Sequence, residues 1–167
     1  DLQHAFVAIE DERFYEHNGI DLQGIVRAGV VGITSGNLSQ GASTLTQQLI
    51  KNNVFPNFVN EETLYDRVER KLQEQFLAIQ IEKQMDKDTI MESYLNTINL
   101  GQNCLGVQAA AKRYFGKDVG ELTLSESAVI AGITQSPGTL NPITNPEKNA
   151  KRQKKVLDDM LEQGYID

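Results

Sequence analysis

The stretch Glu10-Asp11-Glu12-Arg13-Phe14-Tyr15-Glu16-His17-Asn18-Gly19 gathers four carboxylates, an arginine and one of the chain's two histidines. It follows the apolar run Ala5-Phe6-Val7-Ala8-Ile9 directly. A carboxylate against an apolar wall has its charged form disfavoured, which moves it toward the working range of a general base. Glu10 follows Ile9 and lies one turn after Phe6, so it is the acid expected to face such a wall. Taken alone, an acidic run is more often a solvated helix end. His17 suits a ligand or a base, but the commoner role is structural, donating to a backbone carbonyl or a carboxylate.

Two further groups carry complementary chemistry. In Gly41-Ala42-Ser43-Thr44-Leu45-Thr46-Gln47-Gln48, followed by Lys51, small polar residues open a helix. Free backbone N–H groups at such an end favour anions, and Gln47, Gln48 and Lys51 are expected to project about one turn further along. That surface suits a diphosphate or a hydroxyl-rich sugar; the plain alternative is a capped helix with its glutamines outside. In Arg70-Lys71-Leu72-Gln73-Glu74, both cations stand at helical pairing distance from Glu74, with Arg67 one turn earlier. Either pair alone reads as a surface ion pair contributing a few tenths of a kcal/mol.

These groups need helices to hold them. Leu2, Ala5, Phe6 and Ile9 form a helical stripe, with Asn18-Gly19 as its expected stop. Asp21 caps a helix through roughly Gly32, and Ser43 caps another through about Asn53. The segments from Thr34 to Ala42 and from Ser136 to Asn145 read as loop-rich, and Phe55 to Asn60, with Pro56, as a break. Asn60 opens a long helix to about Gln84, with Leu64, Val68, Leu72, Phe76, Leu77 and Ile79 near one side. Asp86 caps the next helix, carrying Ile90, Met91, Tyr94 and Leu95, and Gly106 to Tyr114 is a short Ala-rich one. Thr123 and Glu126 form a capping box ahead of a helix from Ala128 to Thr134. Asn145-Pro146 opens a last helix to about Gln163. No alternation characteristic of strands exceeds four residues, so the fold class is all-α.

The length of 167 residues fits one domain with a real core. A net charge of −7 excludes a general nucleic-acid binder, although local clusters can still attract an anion. The single cysteine, Cys104, excludes an internal disulfide and a cysteine-rich zinc site. No apolar run reaches membrane-spanning length and no signal peptide is evident; the chain opens directly on a helical pattern, so it reads as an excised domain.

The pattern Glu10-Asp11-x-x-Phe14-x-x-His17-x-Gly19 resembles the first signature of the peptidoglycan glycosyltransferases, the sugar-polymerising domain of penicillin-binding proteins. Five specified residues at ~5% usage would coincide by chance about once in millions of windows. Gly41-x-Ser43-Thr44-x-x-Gln47-Gln48 is similar to the second signature and Arg70-Lys71-x-x-Glu74 to the third. Lys87 to Asn96, ending Tyr94-Leu95-Asn96, resembles the fourth, and Ala109-Ala110-Ala111-Lys112-Arg113-Tyr114-Phe115-Gly116-Lys117 the fifth. Gln135-Ser136-Pro137 and Asn141-Pro142 also fit. The stretch Val54 to Arg67 looks longer than usual, and the membrane-spanning helix that normally precedes the first signature is not in view.

The resemblance implies a lysozyme-like, two-lobed helical fold with a mobile small-lobe loop region. It implies an inverting glycosyltransferase that polymerises lipid II at the extracytoplasmic face of the bacterial membrane. Its partners would be lipid II, a lipid-linked glycan strand and the membrane surface, with a transpeptidase domain as a further element of the parent chain. Glu10 would be the base, with Ser43, Gln47, Gln48, Lys51, Arg67, Arg70 and Lys71 on the diphosphate. Asp11, Phe14, His17, Gly19, Thr44, Tyr94 and Asn96 would support them. Glu74, the second important acid, would either hold Lys71 or bind a divalent metal, Mg or Mn, bridging the diphosphate; no organic cofactor is implied. The segment Gly29 to Gln40, with Val30, Val31, Ile33 and Leu38, would touch the membrane, and moenomycin would be a donor-mimicking inhibitor. Two rival readings are a lysozyme-like muramidase or lytic transglycosylase, and a non-catalytic glycan- or lipid-binding module.

Overall fold

The computed structural model describes residues 1–35, 41–55 and 63–167, of which 31–35 as backbone only. The helices are α1 (Leu2–Glu10), α2 (Leu22–Ser35), α3 (Leu45–Val54), α4 (Leu64–Glu82), α5 (Lys87–Thr97), α6 (Val107–Phe115), α7 (Leu124–Ala131) and α8 (Pro146–Glu162), with a short 3-10 turn at Val119–Glu121. Among the described residues the only β pairing is an isolated bridge between Asn99 and Leu105. The all-α expectation holds. The chain divides into two compact units, one of Asp1–Glu12 with Met91–Asp167 (the Glu10 unit) and one of Arg13–Ile90 (the Lys71 unit).

In the Glu10 unit, α1, α7 and α8 pack on one another. The inner side of α1 buries Ala5, Phe6, Val7 and Ala8, against a core that includes Met91, Tyr94, Ile130, Ile133, Val156 and Met160. Phe6 meets Tyr94 edge to face at 5.8 Å and 81°, the geometry that ring quadrupoles prefer. Burying one such aromatic contributes about 1.5–3 kcal/mol. The expected Thr123–Glu126 capping box is present, but its helix starts at Leu124 and ends at Ala131. Pro146 opens α8 as expected, although the Asn145 side chain makes no cap bond. Helix α1 stops at Glu10, where the Asp11 N–H donates to Val7 O, and not at Asn18-Gly19.

In the Lys71 unit, α3 packs on α4. Asp21 caps α2 as expected, accepting from the Gly24 N–H at 2.9 Å, and Asp86 caps α5 through the Thr89 N–H at 2.8 Å. The cap of α3 is Thr44, whose side chain accepts from the Gln47 N–H, and not Ser43. The long helix is α4, opened by a Thr63–Asp66 capping box; Asn60, its expected start, lies outside the described residues. Gly19 has φ +93, and a Cβ there would sit 2.7 Å from the Ala78 backbone. Only glycine lets this turn lie against α4.

Helix α4 has its amphipathicity reversed. Leu64, Val68, Leu72 and Phe76, spaced by four, are all exposed, whereas Glu74 and Ala78 are buried. Leu77 and Ile79, expected near the same side, are half-buried. The inward side is instead committed to a polar network with α3, described below. Leu22, Val26 and Val30 of α2 form a second exposed apolar line.

Candidate functional site

Glu10 ends α1 with its side chain 14% exposed. Its Oε1 accepts from the Thr134 hydroxyl at 2.5 Å and lies 3.9 Å from the Arg152 guanidinium. The expected apolar wall is therefore corrected: Phe6 and Tyr94 are buried nearby, but a hydroxyl and a cation address the carboxylate itself. Tyr94 is a core residue, its phenol pushed well above its ordinary range by burial, then by the charges of Glu10 and Asp11. Asp11 is buried as the C-cap of α1. Asn96 is exposed, and its carbonyl lies 2.5 Å from where a Cβ on Gly106, at φ +82, would project.

The second group lies within the Lys71 unit. The Lys71 ammonium donates to Ser43 Oγ at 2.6 Å, Gln47 Oε1 at 3.2 Å and Glu74 Oε2 at 3.0 Å, one acceptor for each N–H. The Arg70 guanidinium donates to the other Glu74 oxygen. Glu74 is 1% exposed and Lys71 37%, so the carboxylate lies beneath and the ammonium reaches the surface. Two cations on one carboxylate leave a local excess of positive charge in an acidic protein. Gln47 is 1% exposed, not projecting outward as expected. Its Nε2 donates to Gly19 O at 3.4 Å, and the Thr44 hydroxyl donates to the same carbonyl at 2.8 Å. Residues of the first three signatures thus form one connected network. Gln48 and Lys51 are half-buried along α3, and Arg67 is exposed one turn before Lys71.

Phe14 and His17 belong to a second node of this unit. Glu82 Oε1 accepts from the Thr46 hydroxyl at 2.6 Å, and its Oε2 stands 2.6 Å from the Lys87 ammonium. Lys87 lies over the Phe14 ring at 4.5 Å. His17 Nδ1 accepts from the Gly19 N–H at 3.1 Å and is 3.9 Å from Glu82. The ring helps to hold the turn through this accepted bond, a structural role of the kind expected. Arg13 grips Asp21 through two N–H groups, at 3.1 and 2.5 Å. Burial alone would push the Asp21 carboxyl up, but Arg13 and the Gly24 N–H hold it below its ordinary value of 3.8.

The metal expectation can be tested on the donor set. Both Glu74 oxygens already face a cation, Arg70 or Lys71, and a divalent ion there would meet two like charges. Among the described residues no group of three or more His, Cys, Asp or Glu side chains is placed to hold a metal. The residues present do not fit a metal held by Glu74; they fit a carboxylate that holds Lys71 and Arg70. Sequence reasoning missed Thr134, Arg152, Glu82 and the Arg13–Asp21 clamp. Only the clamp has a local signal, opposite charges flanking the turn at Gly19.

Residues 1–161 match the family described as transglycosylase. Over 162 residues the chain is 51% identical to penicillin-binding protein 1A of Escherichia coli (strain K12), covering 97% of this chain and 18% of that protein. It is 50% identical over 162 residues to penicillin-binding protein 1A of Aquifex aeolicus (strain VF5), covering 97% and 21%. It is 46% identical over 165 residues to penicillin-binding protein 1A of Neisseria lactamica, covering 99% and 20%. The chain spans about a fifth of the length of the curated relatives it matches.

Proposed function

The chain belongs to the transglycosylase family, and from that premise we propose that it is an inverting peptidoglycan glycosyltransferase that extends glycan strands from lipid II. The acceptor is the 4-hydroxyl of the lipid II GlcNAc; the donor is a strand whose terminal MurNAc carries undecaprenyl diphosphate. A neutral hydroxyl is a poor nucleophile, so Glu10 takes its proton as the oxygen attacks C1. The C1–O bond to the diphosphate breaks, the electron pair leaves with the phosphate oxygen, and a β-1,4 bond forms with inversion. Charge grows on the departing diphosphate, and Lys71 and Arg70 meet it, with Arg67 and Lys51 adding positive field. Ser43 and Gln47 hold the ammonium until a phosphate oxygen takes over as acceptor, and Gln48 adds a donor to the diphosphate or sugar. Glu74 stays beneath, keeping both cations oriented.

The observation that carries this reading is the Lys71 ammonium, fastened by Glu74 and Ser43 at the start of α3 yet partly exposed. A hydrolase of a neutral glycosidic bond has no use for such a cluster, which weighs against a muramidase. Turnover on lipid II and on finished peptidoglycan separates the readings: glycan strands from the former and no cleavage of the latter are expected. Cleavage of finished strands without polymerisation would favour the muramidase, and binding without turnover the non-catalytic module.

The same reading sets the domain at the extracytoplasmic membrane face, in a parent chain carrying a transpeptidase domain. Among the described residues no helix is long and apolar enough to cross a membrane. The exposed apolar lines of α2 and α4 suit contact with the lipid surface that delivers the substrate. The side chains of Val31, Ile33 and Leu38, expected to share that contact, lie outside the described residues, as does much of the stretch from Val54 to Arg67.

A further inference from the structure

We propose that Thr134 is the positioning residue of the general base, fixing the plane of the Glu10 carboxyl through both of its protonation states; this rests on Glu10 being the base. The Thr134 hydroxyl donates to Glu10 Oε1 at 2.5 Å. It also stands 2.9 Å from Ala131 O. A hydroxyl has one hydrogen and two lone pairs, so these acceptors compete for it, and the charged carboxylate wins. Pinning Oε1 fixes the torsion of the carboxyl group and with it the direction of Oε2. A base must lie within hydrogen-bond reach of the proton it takes, so the direction of Oε2 matters.

Ala131 O gives the hydroxyl a second resting place. When Glu10 takes the proton of the acceptor sugar on Oε2, Oε1 becomes the carbonyl oxygen of the acid, a weaker acceptor that can still take the Thr134 hydrogen. Ala131 O remains within reach as the alternative acceptor. Thr134 therefore has a partner before and after proton transfer, with no buried group orphaned. Arg152 approaches the same Oε1 at 3.9 Å. Its stem passes Gly132, where a Cβ would come within 3.1 Å of Arg152 Cγ, and its guanidinium stands farther from Oε1 than the hydroxyl does.

The test uses Thr134→Val, which keeps the shape and removes the hydroxyl, and Thr134→Ser, which restores it, with Glu10→Gln as reference. All are made in the full-length protein, with lipid II as substrate. Thr134→Val is expected to lower kcat about tenfold, the effect of one lost hydrogen bond, with KM within about twofold and the melting temperature little changed. Thr134→Ser is expected to recover most of the rate. Wild-type kcat in Thr134→Val beside an inactive Glu10→Gln would overturn the positioning role while sparing the base. Loss of rate in step with melting temperature, unrescued by serine, would make Thr134 merely structural and overturn it too. An active Glu10→Gln would instead remove the underlying reading.

Discussion

Both units bury apolar side chains, Phe6, Tyr94, Ile130, Ile133, Val156 and Met160 in the Glu10 unit and Phe14, Leu45, Leu49, Ile50 and Ile90 in the Lys71 unit, but the Lys71 unit also buries the set Thr44, Thr46, Gln47 and Glu74 where α3 meets α4 and leaves Leu64, Val68, Leu72 and Phe76 to solvent. In the first unit, stability and the placement of the acid come from the same apolar packing, because α1 ends at Glu10 one turn beyond the buried Phe6. In the second, the inner side of α4 is given over to holding cations, and its apolar residues are displaced outward. Hydrophobic burial is non-directional and sets a helix in place. Orienting an ammonium toward a leaving anion takes directional bonds, and these occupy the contact with α3. The outward apolar line is the other side of that arrangement, and under the proposed function it is the surface suited to a lipid substrate.

Truncating the core of the first unit should have the largest effect. Phe6→Ala removes a fully buried ring, and denaturant unfolding should show a loss of about 3–5 kcal/mol. In the second unit, Lys71→Ala should separate function from stability. It is expected to lower kcat on lipid II about a hundredfold with little change in melting temperature. A fall in both together would make the lysine structural. Asp21 gives a smaller, pH-dependent effect. Its folded carboxyl is held below 3.8, so its stabilisation is complete above that value and is lost as pH falls through the folded titration. Asp21→Asn should cost about 1 kcal/mol near neutrality, and the difference from wild type should shrink below about pH 4. The smallest effect should come from Leu72→Ala, within about 0.5 kcal/mol of wild type, and a charge at Leu72 should weaken liposome binding. A destabilisation by Leu72→Ala comparable to that of Phe6→Ala would erase the contrast between the units.

Much of this was legible in the sequence, because caps and signatures are local. Asp21, Asp86 and the Thr123–Glu126 box stand where their spacing put them, and the first three signatures supplied the members of the Lys71 network. Ser43 and Thr44 are adjacent and both suited to capping, so composition alone could not choose; the Lys71 ammonium takes Ser43 and leaves the cap to Thr44. Periodicity grouped Leu64, Val68, Leu72 and Phe76 but carries no sign for which side faces solvent. Thr134 lies 124 residues from Glu10, a contact made by tertiary packing with no local pattern. For the same reason Glu82 reads as one more charge on a polar helix until Thr46 and Lys87 are seen around it.

The central claim is that Glu10 is the general base that takes the proton of the acceptor hydroxyl in the proposed transfer. The most direct measurement is glycan-strand formation from lipid II by full-length Glu10→Gln protein whose helical content matches wild type. The account predicts retained lipid II binding through the untouched cationic network and no strands formed. Strand formation at the wild-type rate would contradict it.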